Sequence, residues 1–219
     1  MTQASADEIQ TPGAGQARPV RRSQAERREE SRRRMLDAAF ELLSEQQSIG
    51  FTLSDVGERA GYSRGLPTQA FGSKAGLLGA LTVHLLNMSV NETSPVETRG
   101  EGLEAVLITV RQLLEGSELQ YRVTMAVQVL FAEASVRDSP IRVEMTALNR
   151  IATGYLSKHL RIGQARGEVK PDIDCRAQAM ITMAMVRGVM LQWLLDPERI
   201  DREVLCRETM ASLERNLRP

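Results

Sequence analysis

Apolar residues recur every three or four positions along most of this 219-residue chain, which is the spacing of amphipathic helices. Few aromatic residues and abundant Ala, Leu, Met, Glu and Arg also favour helices over strands. In the first part of the chain the pattern predicts a helix from about residue 23 to Ser44, a second from Leu53 to Ala60 and a third from Arg64 to Phe71. A fourth helix, capped by Ser73, is predicted to continue to about Met88.

A polar segment at 89–102 interrupts this pattern and is the predicted domain boundary. Five further helices are predicted after it, near 101–115, 118–136, 139–165, 173–195 and 201–217. Pro140 follows Asp138 and Ser139 and is expected just inside the third of these helices. The sequence therefore predicts an all-α chain with a disordered arm at 1–22, an N-terminal domain at 23–88 that includes the fourth helix as connector, and a C-terminal domain at 89–219.

A turn containing glycine separates the second and third helices. Thr52 is a good N-cap residue, and Asp55 completes a capping-box-like start. Gly61 ends the second helix where a positive φ is usual, and Ser63 is expected to cap the third helix. Gly57 lies mid-helix, where it costs roughly 1 kcal/mol relative to alanine, and this makes sense if another helix crosses closely. Two short helices joined in this way form a helix-turn-helix, whose second helix lies in the major groove of DNA.

The charge is unevenly distributed although the net charge is zero. From Arg18 to Arg34 there are eight arginines and three glutamates, directly before the helix-turn-helix. One interpretation is a flexible arm and first helical turn that touch phosphates or the minor groove. The alternative is a solvated helix face whose charges pair with one another.

The N-terminal region resembles the TetR family of transcriptional regulators. The resemblance rests on RMLDAAFELL at 34–43, GFTLSDVGERAGYSRG at 50–65 and FGSKAGLLGAL at 71–81. Beyond these motifs the chain resembles the family only in its helical layout. The chain departs from the family in the recognition helix, because Thr68 stands where a phosphate-contacting tyrosine is common and Ala70 replaces a histidine. These departures leave the fold prediction intact and change the expected contacts to DNA.

The resemblance implies that the third helix reads DNA. Gln69 could pair with an adenine edge, and Arg64 with a guanine edge or a phosphate. Thr52 suits a phosphate because it lies at a helix N-terminus. Lys74 lies in the first turn of the fourth helix, where the helix dipole disfavours a cation, so its presence there fits a phosphate partner. The alternatives are ordinary solvated helix residues and, for Thr52, a capping role. The full set of predicted DNA-binding residues is Arg33, Thr52, Ser54, Ser63, Arg64, Gly65, Leu66, Thr68, Gln69 and Lys74.

The resemblance also implies an effector pocket in the middle of the C-terminal domain. The residues predicted to line it are Met125, Gln128, Phe131, Met145 and Tyr155, with plain core packing as the alternative. The segment 173–195 is apolar on most sides, so its helix is expected to be buried or to lie in an interface. Together with the last helix it suits a four-helix homodimer interface. The residues predicted for that interface are Met180, Ala184, Gly188, Leu191, Leu205 and Leu213.

Several other classes of protein are not supported by the sequence. His84 and His159 are not spaced with cysteines or carboxylates as metal ligands would be, so no metal is expected. The chain shows no nucleophile elbow, P-loop or dinucleotide fingerprint, so neither an enzyme nor a cofactor is expected. Cys175 and Cys206 are interpreted as packing residues, which fits a reducing cytoplasm.

The predicted function is a TetR-like homodimeric repressor that binds a pseudo-palindromic double-stranded operator in the cytoplasm, away from membranes. A small apolar effector would release it from DNA. One alternative is a DNA-binding protein of this fold without small-molecule control. The other is a helical ligand-binding dimer that has lost DNA binding, for which the unusual segment 67–70 is the support.

Overall fold

The computed structural model describes residues 23–92 and 100–219, with no side-chain description for 89–92. The described residues form nine α-helices and no strand, which confirms the all-α prediction. The predicted disordered arm at 1–22 lies outside the described residues. The helices are α1 (Gln24–Gln46), α2 (Leu53–Arg59), α3 (Leu66–Phe71), α4 (Lys74–Glu92), α5 (Leu103–Glu115), α6 (Glu118–Ser135), α7 (Arg142–Ala165), α8 (Cys175–Leu195) and α9 (Arg202–Leu217).

Helix α1 begins at a reciprocal cap. The Ser23 hydroxyl accepts from the Glu26 backbone N–H at 3.1 Å, and the Glu26 carboxylate accepts from the Ser23 N–H at 2.6 Å. This arrangement satisfies donors that a helix N-terminus otherwise leaves unpaired. The first turns of α1 are exposed, whereas its second half carries a buried apolar stripe that includes Met35, Ala39 and Leu43.

Two buried clusters hold the helices together. The first joins α1, α2 and α4 to parts of α6 and α7 and includes Phe40, Leu81 and Leu130. The second joins α5, α7, α8 and α9 and includes Leu114 and Met210. Because α6 and α7 contact α4 as well as α8, the helix-turn-helix and the C-terminal helices share part of one core.

Two predicted helix starts are wrong by about two residues. Helix α3 begins at Leu66 after Gly65, which makes no side-chain cap, so Ser63 is not the N-cap. The Ser63 carbonyl instead accepts from the Leu66 N–H at 3.1 Å within the turn. Similarly, Pro140 precedes α7, which begins at Arg142. A left-handed residue, Asp138 with φ of 61°, turns the chain before the helix can start.

Helix α8 is long and apolar enough to cross a membrane by length and composition alone. Within the described residues it instead contacts α5, α6, α7 and α9. Packing against four helices explains much of its apolar character. Other apolar side chains of α8, including Met180 and Leu191, are exposed on the face that contacts none of these helices.

Candidate nucleic-acid interface and internal cavity

The turn between α2 and α3 is shaped by local hydrogen bonds. The Thr52 hydroxyl accepts from the Asp55 N–H at 3.2 Å, and the Asp55 carboxylate accepts from the Thr52 N–H at 2.7 Å. These bonds from Thr52 hold the pKa of Asp55 below its ordinary value. Gly61 has a φ of 75°, and the Tyr62 N–H returns to the Gly57 carbonyl at 2.8 Å. The predicted capping box and glycine turn are confirmed.

Gly57 lets the start of α3 approach α2 closely. A Cβ atom at this position would lie 2.7 Å from the Ser63 carbonyl oxygen and 3.3 Å from both the Arg64 Cα and the Pro67 Cδ. Two of these three atoms belong to the backbone, so no side-chain rotation can relieve the contact. The close crossing predicted from a mid-helix glycine is confirmed, and Pro67 is buried against it.

Helix α1 holds α3 from the other side. The Arg32 guanidinium donates to the Ala70 carbonyl at 3.1 Å and lies over the Phe71 ring, 4.6 Å from its centroid. The Ala70 carbonyl is in the last turn of α3, where backbone acceptors lack partners within the helix. The sequence showed the arginine-rich run but not which arginine packs inward. Arg32 therefore positions the recognition helix, a role that sequence reasoning missed.

The outer surface of this unit is made by polar and small residues. Thr68 and Gln69 of α3 are exposed, as are Ser63 and Gly65 in the preceding turn. Leu66 is half-buried and packs against the first cluster, so only part of its side chain is accessible on that surface. These residues are therefore accessible to a partner, and the Gln69 amide offers both a donor and an acceptor.

The predicted cationic contacts differ in their surroundings. Arg33 is exposed on α1, while Arg64 is 77% exposed and forms an ion pair with Glu58. That pair is solvent-facing and therefore weak, so a phosphate could compete for the guanidinium. Lys74 begins α4 as expected, but its ammonium donates to the Ile49 carbonyl and faces the Phe51 ring at 5.5 Å. A contact between Lys74 and a phosphate stays a prediction. Its ammonium would have to make that contact in addition to, or in place of, the hydrogen bond to Ile49.

The remaining predicted DNA-binding residues lie at the start of α2. Thr52 is exposed with its hydroxyl in the capping box, and Ser54 is half-buried in the first turn.

An internal cavity of about 290 Å³ lies between α4, α5, α6, α7 and α8. This volume is close to the lower end of the roughly 300–1,000 Å³ typical of small-molecule pockets. Its walls are largely apolar, and α4 contributes Leu85 and Leu86. The other lining residues are Thr109, Gln112, Leu113, Gln120, Val123, Thr124, Val127, Gln128, Phe131, Leu148, Ile151, Ala152, Tyr155, Leu156, Met183, Val186, Arg187 and Met190.

Three of the five residues predicted for the pocket line this cavity: Gln128, Phe131 and Tyr155. The other two, Met145 and Met125, do not line it. Met145 is 1% exposed and packs in the first cluster, with its sulfur 3.6 Å from the Thr82 hydroxyl. Met125 packs against the second cluster. Both methionines are on the correct helices but point to the cores on either side of the cavity.

Polar groups in the cavity wall include two that sequence reasoning missed, Gln112 and Arg187. The Arg187 guanidinium donates to the side-chain oxygen Oδ1 of Asn149 at 2.7 Å and lies 3.9 Å from the centroid of the Phe131 ring. Burial lowers the pKa of Arg187. The Gln128 amide donates to the Arg187 backbone carbonyl at 2.9 Å, which joins α6 to α8 at this end of the cavity.

The free face of α8 carries exposed apolar and small residues. Met180 is 50% exposed and Leu191 48% exposed, and the exposed Ala184 and Gly188 lie between them. Four of the six predicted interface residues thus share one face with helical spacing. Leu205 of α9 is half-buried.

Leu213 does not belong to that surface. It is 1% exposed in the second cluster of the same chain, so its side chain is not available to a partner on that surface. The physical reason is that α9 uses this side to pack on α5 and α8.

The histidines and cysteines contact other side chains of the protein or are buried in its core. His84 Nε2 lies 2.8 Å from the Asp37 carboxylate, and His159 is buried beside the Tyr155 ring. Both cysteines are free and buried, and burial raises the pKa of each thiol. Among the described residues no three His, Cys, Asp or Glu side chains form a group suited to a metal ion.

Comparison with known proteins agrees with this division of the chain. The family model for bacterial regulatory proteins of the tetR family matches residues 35–81, and that for the C-terminal domain of BetI-type transcriptional repressors matches residues 103–218. The HTH-type transcriptional regulator TtgR of Pseudomonas putida is 24% identical over 186 residues, which cover 83% of this chain and 88% of TtgR.

Solved structures show the same fold. A TetR-family transcriptional regulator from Rhodococcus sp. superimposes with a TM-score of 0.76 at 21% identity, covering 86% of this chain and 99% of that one. A transcriptional regulator from Saccharomonospora viridis in complex with choline gives a TM-score of 0.69 at 20% identity, covering 86% and 98%. With its helix-turn-helix at the N-terminus and a BetI-type helical domain after it, the chain belongs to the TetR family of DNA-binding transcriptional regulators, which are not enzymes.

Proposed function

We propose that the protein is a homodimeric repressor that binds a pseudo-palindromic operator in the cytoplasm and is released by a small molecule in the internal cavity. The observation that carries the proposal is the packing of α3. Its inner side is held by Gly57 of α2 and Arg32 of α1, and its outer side presents Thr68 and Gln69. A short helix locked on three neighbouring helices is a rigid reading element.

The contacts to DNA divide into two kinds. Gln69 is placed to read a base edge, where a good bidentate pair is worth about 1–3 kcal/mol of discrimination. Arg33, Arg64, Thr52, Ser54, Ser63, Gly65, Leu66, Thr68 and Lys74 supply the surrounding surface for the phosphate backbone and groove wall. Since Thr68 lacks the ring of the family's usual tyrosine, the contact at that position is reduced to a hydroxyl and a methyl group.

The dimer would form through the exposed face of α8 that carries Met180, Ala184, Gly188 and Leu191. A contiguous apolar face on a soluble protein marks an interaction surface. A two-fold axis through this face would place two α3 helices on successive major grooves, so that half-sites repeat at about one helical turn or a small multiple.

Release by a ligand follows from the position of α4. Leu85 and Leu86 in the second half of this helix line the cavity, and the same helix contacts α1 and α3. A ligand that fits the cavity better when α4 is displaced would also displace the reading helices. Only such a difference in affinity between the two states can couple the sites, typically by about 1–3 kcal/mol.

The experiment that tests operator binding is selection from a random duplex DNA pool with the purified protein at about 0.15 M salt, the physiological range. We expect an inverted repeat. A Gln69→Ala variant should lose preference at one or two base positions in each half-site, while Gln46→Ala, an exposed glutamine of α1 away from α3, should leave the motif unchanged.

Two results would contradict the proposal. Binding without any motif that weakens steeply with salt would indicate a protein that coats DNA through its phosphates. A folded dimer that shifts no duplex would indicate a ligand-binding protein without DNA binding.

A further inference from the structure

One charge in the cavity wall has no counter-charge. Arg187 of α8 lines the cavity, and its guanidinium contacts the Asn149 amide and the face of the Phe131 ring. No carboxylate among the described residues forms an ion pair with it. A guanidinium has five N–H donors and stays charged at neutral pH, so most of its donors are available.

An unpaired charge next to apolar walls is unfavourable unless something compensates it. The Phe131 ring and the side-chain oxygen of Asn149 compensate the Arg187 guanidinium in part. An anionic group of a ligand would complete its coordination, because charge-assisted hydrogen bonds to carboxylates are the strongest that arginine makes.

A second polar region lies further along the cavity. The Tyr155 hydroxyl and the side-chain oxygen Oε1 of Gln112 are buried, and neither has a hydrogen-bond partner among the described residues. Tyr155 follows Asn149 by six positions on α7, which corresponds to about 9 Å along the helix axis. Apolar side chains, including Leu148 and Val127, contribute to the same cavity wall.

We propose that the cavity binds an amphipathic monoanion, with its carboxylate or equivalent head group on Arg187 and its apolar body extending towards Tyr155 and Gln112. This inference rests on the proposed function, because it names the class of molecule that would occupy the effector cavity. A hydroxyl or carbonyl group near the far end of the ligand would satisfy the Tyr155 hydroxyl or the side-chain oxygen of Gln112.

The same geometry disfavours a quaternary ammonium such as choline, the ligand in the Saccharomonospora viridis structure. Cations of that kind bind to the faces of aromatic rings. Here the guanidinium of Arg187 already covers the Phe131 face, and its positive charge opposes a second cation.

The test uses three probes that share an eight-carbon chain and differ in head-group charge: octanoate, 1-octanol and octyltrimethylammonium. Binding to the full-length protein is measured by isothermal titration calorimetry without DNA. We expect octanoate to bind at least about tenfold more tightly than octanol, as one charge-assisted hydrogen bond provides. Octyltrimethylammonium should bind more weakly than octanol.

Variants of α8 assign the effect to one side chain. Arg187→Met should remove the preference for octanoate and leave octanol binding unchanged, which also shows that the cavity is intact. Arg187→Lys should keep part of the preference, because the charge remains but the planar donor pair is lost. Arg176→Met, an exposed arginine at the start of the same helix, is the matched control and should behave as the wild type.

Equal binding of the three probes, tightest binding of the cation, or no binding of any probe would overturn the inference. An unchanged octanoate preference in Arg187→Met would do the same. Operator affinity is measured separately with saturating octanoate. If octanoate binds through Arg187 without weakening operator binding, the ligand class is supported and the release mechanism under Proposed function is contradicted.

Discussion

Replacing Gly57 by alanine tests the geometry of the helix-turn-helix directly. The added Cβ would lie 2.7 Å from the Ser63 carbonyl oxygen, a distance that real Cβ contacts essentially never show. The Arg64 Cα and the Pro67 Cδ, each at 3.3 Å, are also in tight contact with the added atom, and they belong to the same segment as Ser63. The whole N-terminal part of α3 must therefore shift relative to α2.

The expected free-energy change combines two opposing effects. Overpacking a tight site costs about 1–3 kcal/mol, whereas alanine in a helix interior is favoured over glycine by about 1 kcal/mol. The net expectation is a loss of about 1 kcal/mol in the free energy of unfolding. Gly154→Ala on α7 is the matched control, since a Cβ there meets no atom within 4 Å. It should gain about 0.5–1 kcal/mol.

Urea unfolding at a fixed protein concentration measures the free energy of unfolding of both variants. Binding to the operator recovered by selection measures their affinity for DNA. Gly57→Ala should weaken operator binding by more than its loss of stability explains, because a displaced α3 no longer fits the groove. Gly154→Ala should bind normally. If Gly57→Ala were as stable as Gly154→Ala and bound DNA like the wild type, the close crossing of α2 and α3 would be refuted.

Two further predictions concern assembly and pH. Leu191→Glu should yield monomers in sedimentation at micromolar protein with the helical content retained, because a two-fold axis brings the two new carboxylates into one apolar interface. The control is Val143→Glu, which changes an apolar residue of α7 that is more exposed than Leu191 (78% against 48%) and lies outside the α8 face, and it should leave the dimer intact. A dimeric Leu191→Glu would rule out the α8 face as the interface. Burial lowers the pKa of His159, which is 6% exposed, so the unfolded chain binds the proton more readily and stability should fall as the pH drops through about 6.5. His159→Gln should reduce the difference in unfolding free energy between about pH 7.5 and about pH 5.5, and an unchanged difference would show that other groups cause the acid sensitivity.

Much of the N-terminal part could be predicted from the sequence because its determinants are local. The Thr52–Asp55 capping box spans four residues, and the positive φ of Gly61 is a property of the turn itself. The positions of the helices follow from apolar periodicity in the same way. The motifs of the TetR family lie within this region, so fold and family were accessible before any tertiary contact was known.

In the C-terminal part the sequence predicted the helices but not which of their residues line the cavity or face a partner. Met125, Met145 and Leu213 are apolar and on the correct helices, yet they pack into cores instead of facing the cavity or a partner. On α8 nearly all sides are apolar, so the spacing of apolar residues does not predict which side of the helix is buried. Which side of such a helix meets a neighbour depends on how several helices pack together.

The contacts of polar residues were also not predictable from sequence spacing. The sequence by itself determined that the chain is helical, that α2 and α3 form a helix-turn-helix and that arginines cluster before it. Only the tertiary structure decided that Arg32 anchors α3 and that Arg187 lies in the cavity wall next to Phe131. Each of these contacts joins residues about 40 or more positions apart, and no rule of local spacing relates such distant side chains until the helices are packed.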